Sequence, residues 1–258
     1  MYQLNLFGIP TLDRDGDPVT GRATHRHRLA LLALLAMAPG QRLSRDKLIA
    51  YLWPERDGDS GRNLLKVGTY VLRSGLGDDV IISEGDDLRL NREHVVTDVG
   101  EFEAALEHSD FERAASLYRG PFLDGFFLSE APEFERWTDR ERDRLAAGYR
   151  SALESLAESA ERAGDFAGAA DWWRTRAAHD PYDSRVALRL MQSLESAGNR
   201  ASALQHAAAH ERLLEEEFGM HAPAEITEFV DRLRNEPAPE RRAIVRVERT
   251  AAVSQSQI

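Results

Sequence analysis

Apolar residues recur at spacings of three and four through most of this chain. They alternate with polar ones in short stretches near its start. Ser60 to Gly77 (SGRNLLKVGTYVLRSGLG) has the clearest pattern. Leu65, Gly68, Thr69, Leu72 and Leu76 share one face of a helix, while Arg62, Asn63, Lys66, Val67, Tyr70, Val71 and Arg73 lie away from it. Asp59 or Ser60 is the expected N-cap, and Gly77 can stop the helix in a left-handed conformation. Cations and an amide on an outward face suit a DNA major groove, where they meet phosphates and base edges. A solvated surface helix is the simpler reading of the same pattern.

The flanking patterns set this helix in a larger unit. Tyr2 to Ile9 alternates and reads as a strand. A turn follows at Asp13–Asp17, and Pro18 to Thr20 begins a second short strand. Thr24 is a candidate cap for a helix from His25 to Ala38, apolar on nearly every side and so expected to be buried. Ser44 caps a further helix that stops before Pro54. Val80–Ser83 and Leu88–Leu90 flank Gly85-Asp86-Asp87 as a hairpin. Strands, three helices and a terminal hairpin predict a winged helix-turn-helix over residues 1–97.

Residues 98–235 read as helical throughout. Asp98 is expected to cap a helix to Glu107, and another runs from Asp110 to Arg119. An apolar connector (Phe122, Leu123, Phe126, Phe127, Leu128) leads to Pro132, which suits the first turn of a long helix reaching about Ala163. Ala163-Gly164-Asp165 then reappears as Ala197-Gly198-Asn199, an offset matching the tetratricopeptide period of about 34 residues. Asp110-Phe111 weakly echoes Asp165-Phe166. The predicted fold class is therefore mainly α: a winged helix-turn-helix with small β-sheets, followed by an all-α, tetratricopeptide-like repeat. Such arrays bind partners on extended surfaces. Residues 236–258, which begin near Pro237-Ala238-Pro239, are expected to form a disordered tail.

Charge sharpens this picture. The chain has 258 residues and a net charge of −11, which argues against a protein that coats nucleic acid. Yet Arg22 to Arg73 holds ten Lys and Arg against four Asp and Glu, a local basic footprint on an acidic protein. There is no Cys, hence no disulfide, thiolate zinc site or thiol nucleophile, which fits a reducing cytoplasm. No stretch is long and apolar enough to span a bilayer, and the short run Leu29–Ala38 lacks a convincing signal-peptide context.

Candidate chemistry is sparse. No phosphate-binding glycine loop, H-E-x-x-H motif or nucleophile elbow is present, so neither an enzyme nor a cofactor is expected. His206 and His210 have a zinc-compatible spacing beside Glu211 but no third ligand in view. Trp137 and the pair Trp172-Trp173 read as core residues.

Several segments together carry a family resemblance: RLALLALLAMAPGQRLSRDKLIAYLWP (Arg28–Pro54), VLRSGLG (Val71–Gly77), DVGEFEAAL (Asp98–Leu106), YRGPFLDGF (Tyr118–Phe126) and LEEEFGMHAPAE (Leu214–Glu225). In this order they resemble the bacterial transcriptional activators of the antibiotic-regulatory type. That family joins an OmpR-like winged helix to a helical bacterial transcriptional activator domain. The resemblance implies binding of double-stranded DNA at directly repeated promoter sites, recruitment of RNA polymerase and homo-oligomers on DNA. On this reading Arg42, Arg45 and Lys47 meet phosphates. Arg62, Asn63, Lys66, Val67 and Tyr70 face the groove, and Arg73 holds backbone. Val71 stands where many members carry arginine, and the wing Ser83–Asp87 is acidic, so it repels phosphates. These two features support the alternative, a helical-repeat interaction adaptor whose winged helix does not bind DNA.

Overall fold

The computed structural model describes residues 1–235. The expectation for the tail lies outside the described residues. The chain opens with β1 (Tyr2–Asn5), β2 (Thr11–Arg14) and β3 (Asp17–Pro18). These pair antiparallel in sequence, and β7 (Val95–Thr97) closes the far edge parallel to β1. The first strand is shorter than its alternation predicts. At Leu6 and Phe7 the backbone amides turn from the sheet to the Asp98 carboxylate, at 2.8 and 3.0 Å. Gly8 then takes a positive φ of 79°.

Helix α1 (Arg26–Met37) buries every residue from Leu29 to Leu35, as its all-round apolar sequence requires. Its N-cap is His25 rather than Thr24, because Thr24 sits in a 3₁₀ turn with its hydroxyl bonded to the Gly21 carbonyl. Next come β4 (Arg42–Ser44), α2 (Arg45–Leu52) and α3 (Gly58–Leu76). The hairpin β5 (Ile81–Glu84) and β6 (Asp87–Leu90) forms the wing, with β4 added on the β6 side. The sequence pattern showed neither β4 nor β7. At three residues each they are too short for alternation to register.

Helices α4 (Asp98–Glu107) and α5 (Phe111–Leu117) follow. Thr97, not Asp98, caps α4 by accepting from the Gly100 amide at 2.9 Å. Asp98 instead ties the start of α4 to the end of β1. Burial pushes its carboxyl upward, against the pull of the three amides of Phe7, Leu6 and Val99. The connector continues this stitching. Phe122 bridges to Phe7, the Gly8 amide donates to the Pro121 carbonyl at 2.9 Å, and the Leu123 amide donates to Leu6 at 2.8 Å. From the long helix α6 (Pro132–Arg162), the Arg142 guanidinium holds the carbonyls of Phe122 and Leu123 at 2.7 and 2.6 Å.

Buried side chains form two clusters. One runs from Tyr2 to Leu153 and crosses the expected boundary at Thr97/Asp98 without a break. The other runs from Ala157 to Leu233 and fills α7 (Phe166–His179), α8 (Ser184–Ser196), α9 (Arg200–Phe218) and α10 (Ala224–Asn235). Helix α6 contributes to both.

The helical hairpins repeat in detail. Gly164 and Gly198 occupy matching turns with φ of 78° and 77°, where an L side chain is strained. Asp165 and Asn199 then cap the next helices. The weak third echo is structural too. The Asp110 amide donates to Ala105 as Asp165 does to Ala160 and Asn199 to Leu194, each at 2.8 to 2.9 Å. Ser109 adopts a positive φ of 58° in the place of the glycine.

Candidate nucleic-acid interface

Helix α3 rises from a cap that the sequence placed too late. Asp57 accepts from the Ser60 amide at 2.8 Å and from the Ser60 hydroxyl at 3.1 Å, so Ser60 lies inside the first turn. Those bonds hold the Asp57 carboxyl below the usual carboxylate range. At the far end Gly77 has a positive φ of 112° but an extended ψ of 146°, so it stops the helix without the expected left-handed geometry. The inward face is as expected: Leu65, Gly68, Thr69, Leu72 and Leu76 are buried, joined by Gly61. Gly61 permits the close crossing of α2 and α3, because a Cβ there would sit 2.6 Å from Ile49 Cγ2.

The outward residues divide into two flanks. Arg62, Lys66, Tyr70 and Arg73 line a cleft of about 590 Å³ between α3 and the wing, with Arg45 and Ser83 opposite. Tyr70 is 70% exposed at its lip. Asn63 is exposed on the outer face. Val67 turns to the other flank, beside Leu64 and the start of α1. Arg62 pairs with Asp59 at 3.5 Å on its own helix, leaving both side chains in solvent.

Not every expected cation is presented in the same way. The Arg73 guanidinium donates to the Ile81 carbonyl at 2.9 and 2.7 Å and to the Ser83 hydroxyl at 2.9 Å. It braces the wing against α3, where the sequence suggested a phosphate contact. Arg45 does likewise from α2, reaching the Gly85 carbonyl at 2.9 Å and the Ser83 hydroxyl at 3.1 Å. Arg42 lies across the wing from Asp87 at 3.6 Å and Glu84 at 3.9 Å, and Arg89 pairs with Glu84 at 2.7 Å. The wing's carboxylates are thus partly neutralised from within. Lys47 is exposed in the first turn of α2, its amide capped by Ser44 at 3.3 Å. The bracing roles of Arg45 and Arg73 were missed because they depend on side chains 38 and 10 residues away.

Outside this region the imidazole of His210 is engaged at both nitrogens. It lies 2.9 Å from the Ser184 hydroxyl and 3.2 Å from the Pro181 carbonyl, which makes it a fastener for α8. Among the described residues no group of three or more His, Cys, Asp or Glu is placed to hold a metal. No helix among them is long and apolar enough to cross a membrane.

A winged helix-turn-helix continued into an array of helical hairpins is the architecture of a class of bacterial transcription regulators. The pattern described as the bacterial transcriptional activator domain matches residues 89–234, and the chain belongs to that family. Its members are transcription regulators rather than enzymes. Over 229 residues the chain is 26% identical to the regulatory protein AfsR of Streptomyces griseus, covering 81% of this chain and 23% of that one. It is 34% identical over 140 residues to an uncharacterised 47.3 kDa protein of Rhodococcus erythropolis, covering 54% of this chain and 29% of that one. The chain therefore spans less than a third of either relative's length. A solved structure of Mycobacterium tuberculosis EmbR, in complex with a low-affinity phosphopeptide, has the same fold. Its TM-score is 0.65 at 20% identity, over 92% of this chain and 66% of that one.

Proposed function

We propose that this regulator binds double-stranded DNA in the cytoplasm by seating α3 in the major groove, and that it activates transcription by recruiting RNA polymerase. In this reading residues 1–97 form the DNA-binding unit, and 98–235 carry the contacts to partners. The observation that supports it is the wing-side flank of α3, where Arg62 and Lys66 stand exposed beside Asn63 and Tyr70. Arg62 and Asn63 occupy the first turns, where a recognition helix meets base edges. Lys47 meets phosphate from α2. Arg45 and Arg73 act indirectly by fixing the wing's angle to α3.

Selection of genomic fragments by the full chain, followed by sequencing, tests this directly. Asn63→Ala or Arg62→Ala should relax preference at particular base pairs by about 1–3 kcal/mol. Lys47→Ala should weaken all sites alike and flatten the salt dependence by about 0.9 in log–log slope. If no fragment is enriched even at low salt, the winged helix is a protein-interaction module. The acidic wing, with Asp86 exposed at its tip, favours that second reading.

A further inference from the structure

Between α7 and α9, over α8, the helical half carries a cleft of about 440 Å³, a size suited to a small molecule. Its walls are apolar. Ala177, Ala187 and Ala209 stand around Leu190 and Leu213, and their small side chains leave the space open.

Two imidazoles line the cleft one turn apart on α9, and they differ. His210 is engaged at both nitrogens, by Ser184 and Pro181. His206 makes no hydrogen bond among the described residues, and its Nε2 is buried without a partner. A buried polar atom left unpaired costs free energy that a ligand can recover. Burial holds the His206 pKa below the ordinary histidine value, so near neutrality the ring is uncharged and has one N–H to donate. No existing bond has to break for the ring to turn that N–H into the cleft.

The charge in the lining is positive. Arg174 comes from α7 and Arg212 from α9, and both are exposed. Arg174 pairs with the exposed Asp171 on its own helix, a weak tie in water. Arg212 has no ion pair or hydrogen bond among the described residues. The acidic residue of the lining, Asp183, is already engaged: it pairs with Arg176 at 3.2 Å and accepts from the Arg185 and Val186 amides at 3.0 and 3.2 Å. We propose that this cleft binds a small organic acid with an apolar body. Arg212, Arg174 and the His206 ring hold its carboxylate, and Leu190 and Leu213 cover its body. The apolar walls disfavour a bare inorganic anion, and the two guanidinium groups favour an acid over a neutral molecule. An acid so placed ties α7 to α9 across α8, which makes the hairpin array of this regulator a sensor of that acid. The site does not rest on the DNA-binding reading.

Calorimetric titration of the full chain near neutral pH, without DNA, tests the site apart from DNA binding. The probes are octanoate, benzoate and phenylacetate, each beside its neutral amide. At least one acid should bind at a single site per chain, with its amide about tenfold weaker or silent, because a charge-assisted hydrogen bond is lost. Arg212→Glu should weaken that acid about tenfold or more, and Arg174→Gln should weaken it separately. Both side chains are exposed, so thermal melting of the ligand-free variants should match the natural chain. The ring-nitrogen resonances of His206, assigned by their loss in His206→Gln, should move as the acid is added, while those of His210 stay. The proposal is overturned if none of the three acids binds. Equal binding of acid and amide would mean an apolar surface only, and affinity indifferent to both arginine substitutions would place the acid elsewhere; either result sinks it.

Discussion

The two buried clusters meet inside one helix, yet they are built on different plans. The first, from Tyr2 to Leu153, is held by contacts between distant residues. Asp98 takes the amides of Leu6 and Phe7, and Arg142 takes the carbonyls of Phe122 and Leu123. The second, from Ala157 to Leu233, stacks each helix on its neighbour in sequence. Its side-chain links reach less far along the chain than those of Asp98: Glu161 takes the Trp173 indole, Arg189 and the Ser193 hydroxyl across 12, 28 and 32 residues, against 92 and 91 for the Asp98 bonds to Leu6 and Phe7. The comparison teaches that packing does not divide at the boundary expected near residue 97. The winged helix is completed by α4, the connector and the first half of α6. The step from one packing plan to the other falls within α6, between Leu153 and Ala157.

Core truncations should break this comparison most visibly. Phe122 is fully buried, its backbone bridged to Phe7 and its ring edge-on to Trp137, and Phe122→Ala should cost about 3–5 kcal/mol. Leu190→Ala in the second cluster should cost about 2–5 kcal/mol. If the clusters are separate units, calorimetry will show each substitution lowering its own transition. A single transition moved equally by both would make α6 a continuous bond between them and erase the distinction.

Next in size is the Asp98 clamp. Asp98→Ala strands the amides of Leu6 and Phe7 and should cost about 1–3 kcal/mol. The loss should appear in chemical denaturation of the first unit, with hydrogen exchange accelerated at those two amides. Unchanged protection at Leu6 and Phe7 would show that the clamp does not join the winged helix to α4.

Gly198→Val should cost about 1–2 kcal/mol, since it places a β-branched side chain at a φ of 77°. The cost should fall on the second unit alone. Far-UV circular dichroism with a probe on Trp53 would show whether the winged helix stays intact.

The smallest effect is a difference in acid sensitivity. Burial first of all lowers the pKa of His179, His206 and His210 in the hairpin array, and of His27 in the winged helix. Each folded imidazole resists the proton, whereas the unfolded one accepts it near pH 6.5. The stabilisation is therefore present above about pH 6.5 and is lost as pH falls through that value. Exposed His221, raised by its bond to Glu211, acts in the opposite sense. Acidification from pH 7.5 to 5.5 should lower the melting temperature of the hairpin array more than that of the winged helix. Equal shifts would mean that these imidazoles do not distinguish the two units.

Periodicity by itself determined the larger elements. The buried face of α3, the buried α1, the hairpin of the wing and the 34-residue register of Gly164 and Gly198 were all legible, because helix and strand periods repeat over enough residues to be read locally. The family was legible in the order of its motifs, and the pattern match over residues 89–234 bears that out. Caps were misplaced by one to three residues: at α3 and α4 several neighbouring Ser, Thr and Asp side chains can serve, and at α1 the N-cap His25 makes no side-chain bond that a pattern could register. What only the tertiary structure decided is which charges remain available. Arg45 and Arg73 look like phosphate contacts in sequence, but the fold brings Ser83 and the wing's carbonyls within reach of both. Asp98 looks like a helix cap, yet the parallel pairing of β1 with β7 places two free amides beside its carboxylate. A residue's type states what it can bind, but the partner it meets is set by chain closure, which no local pattern encodes.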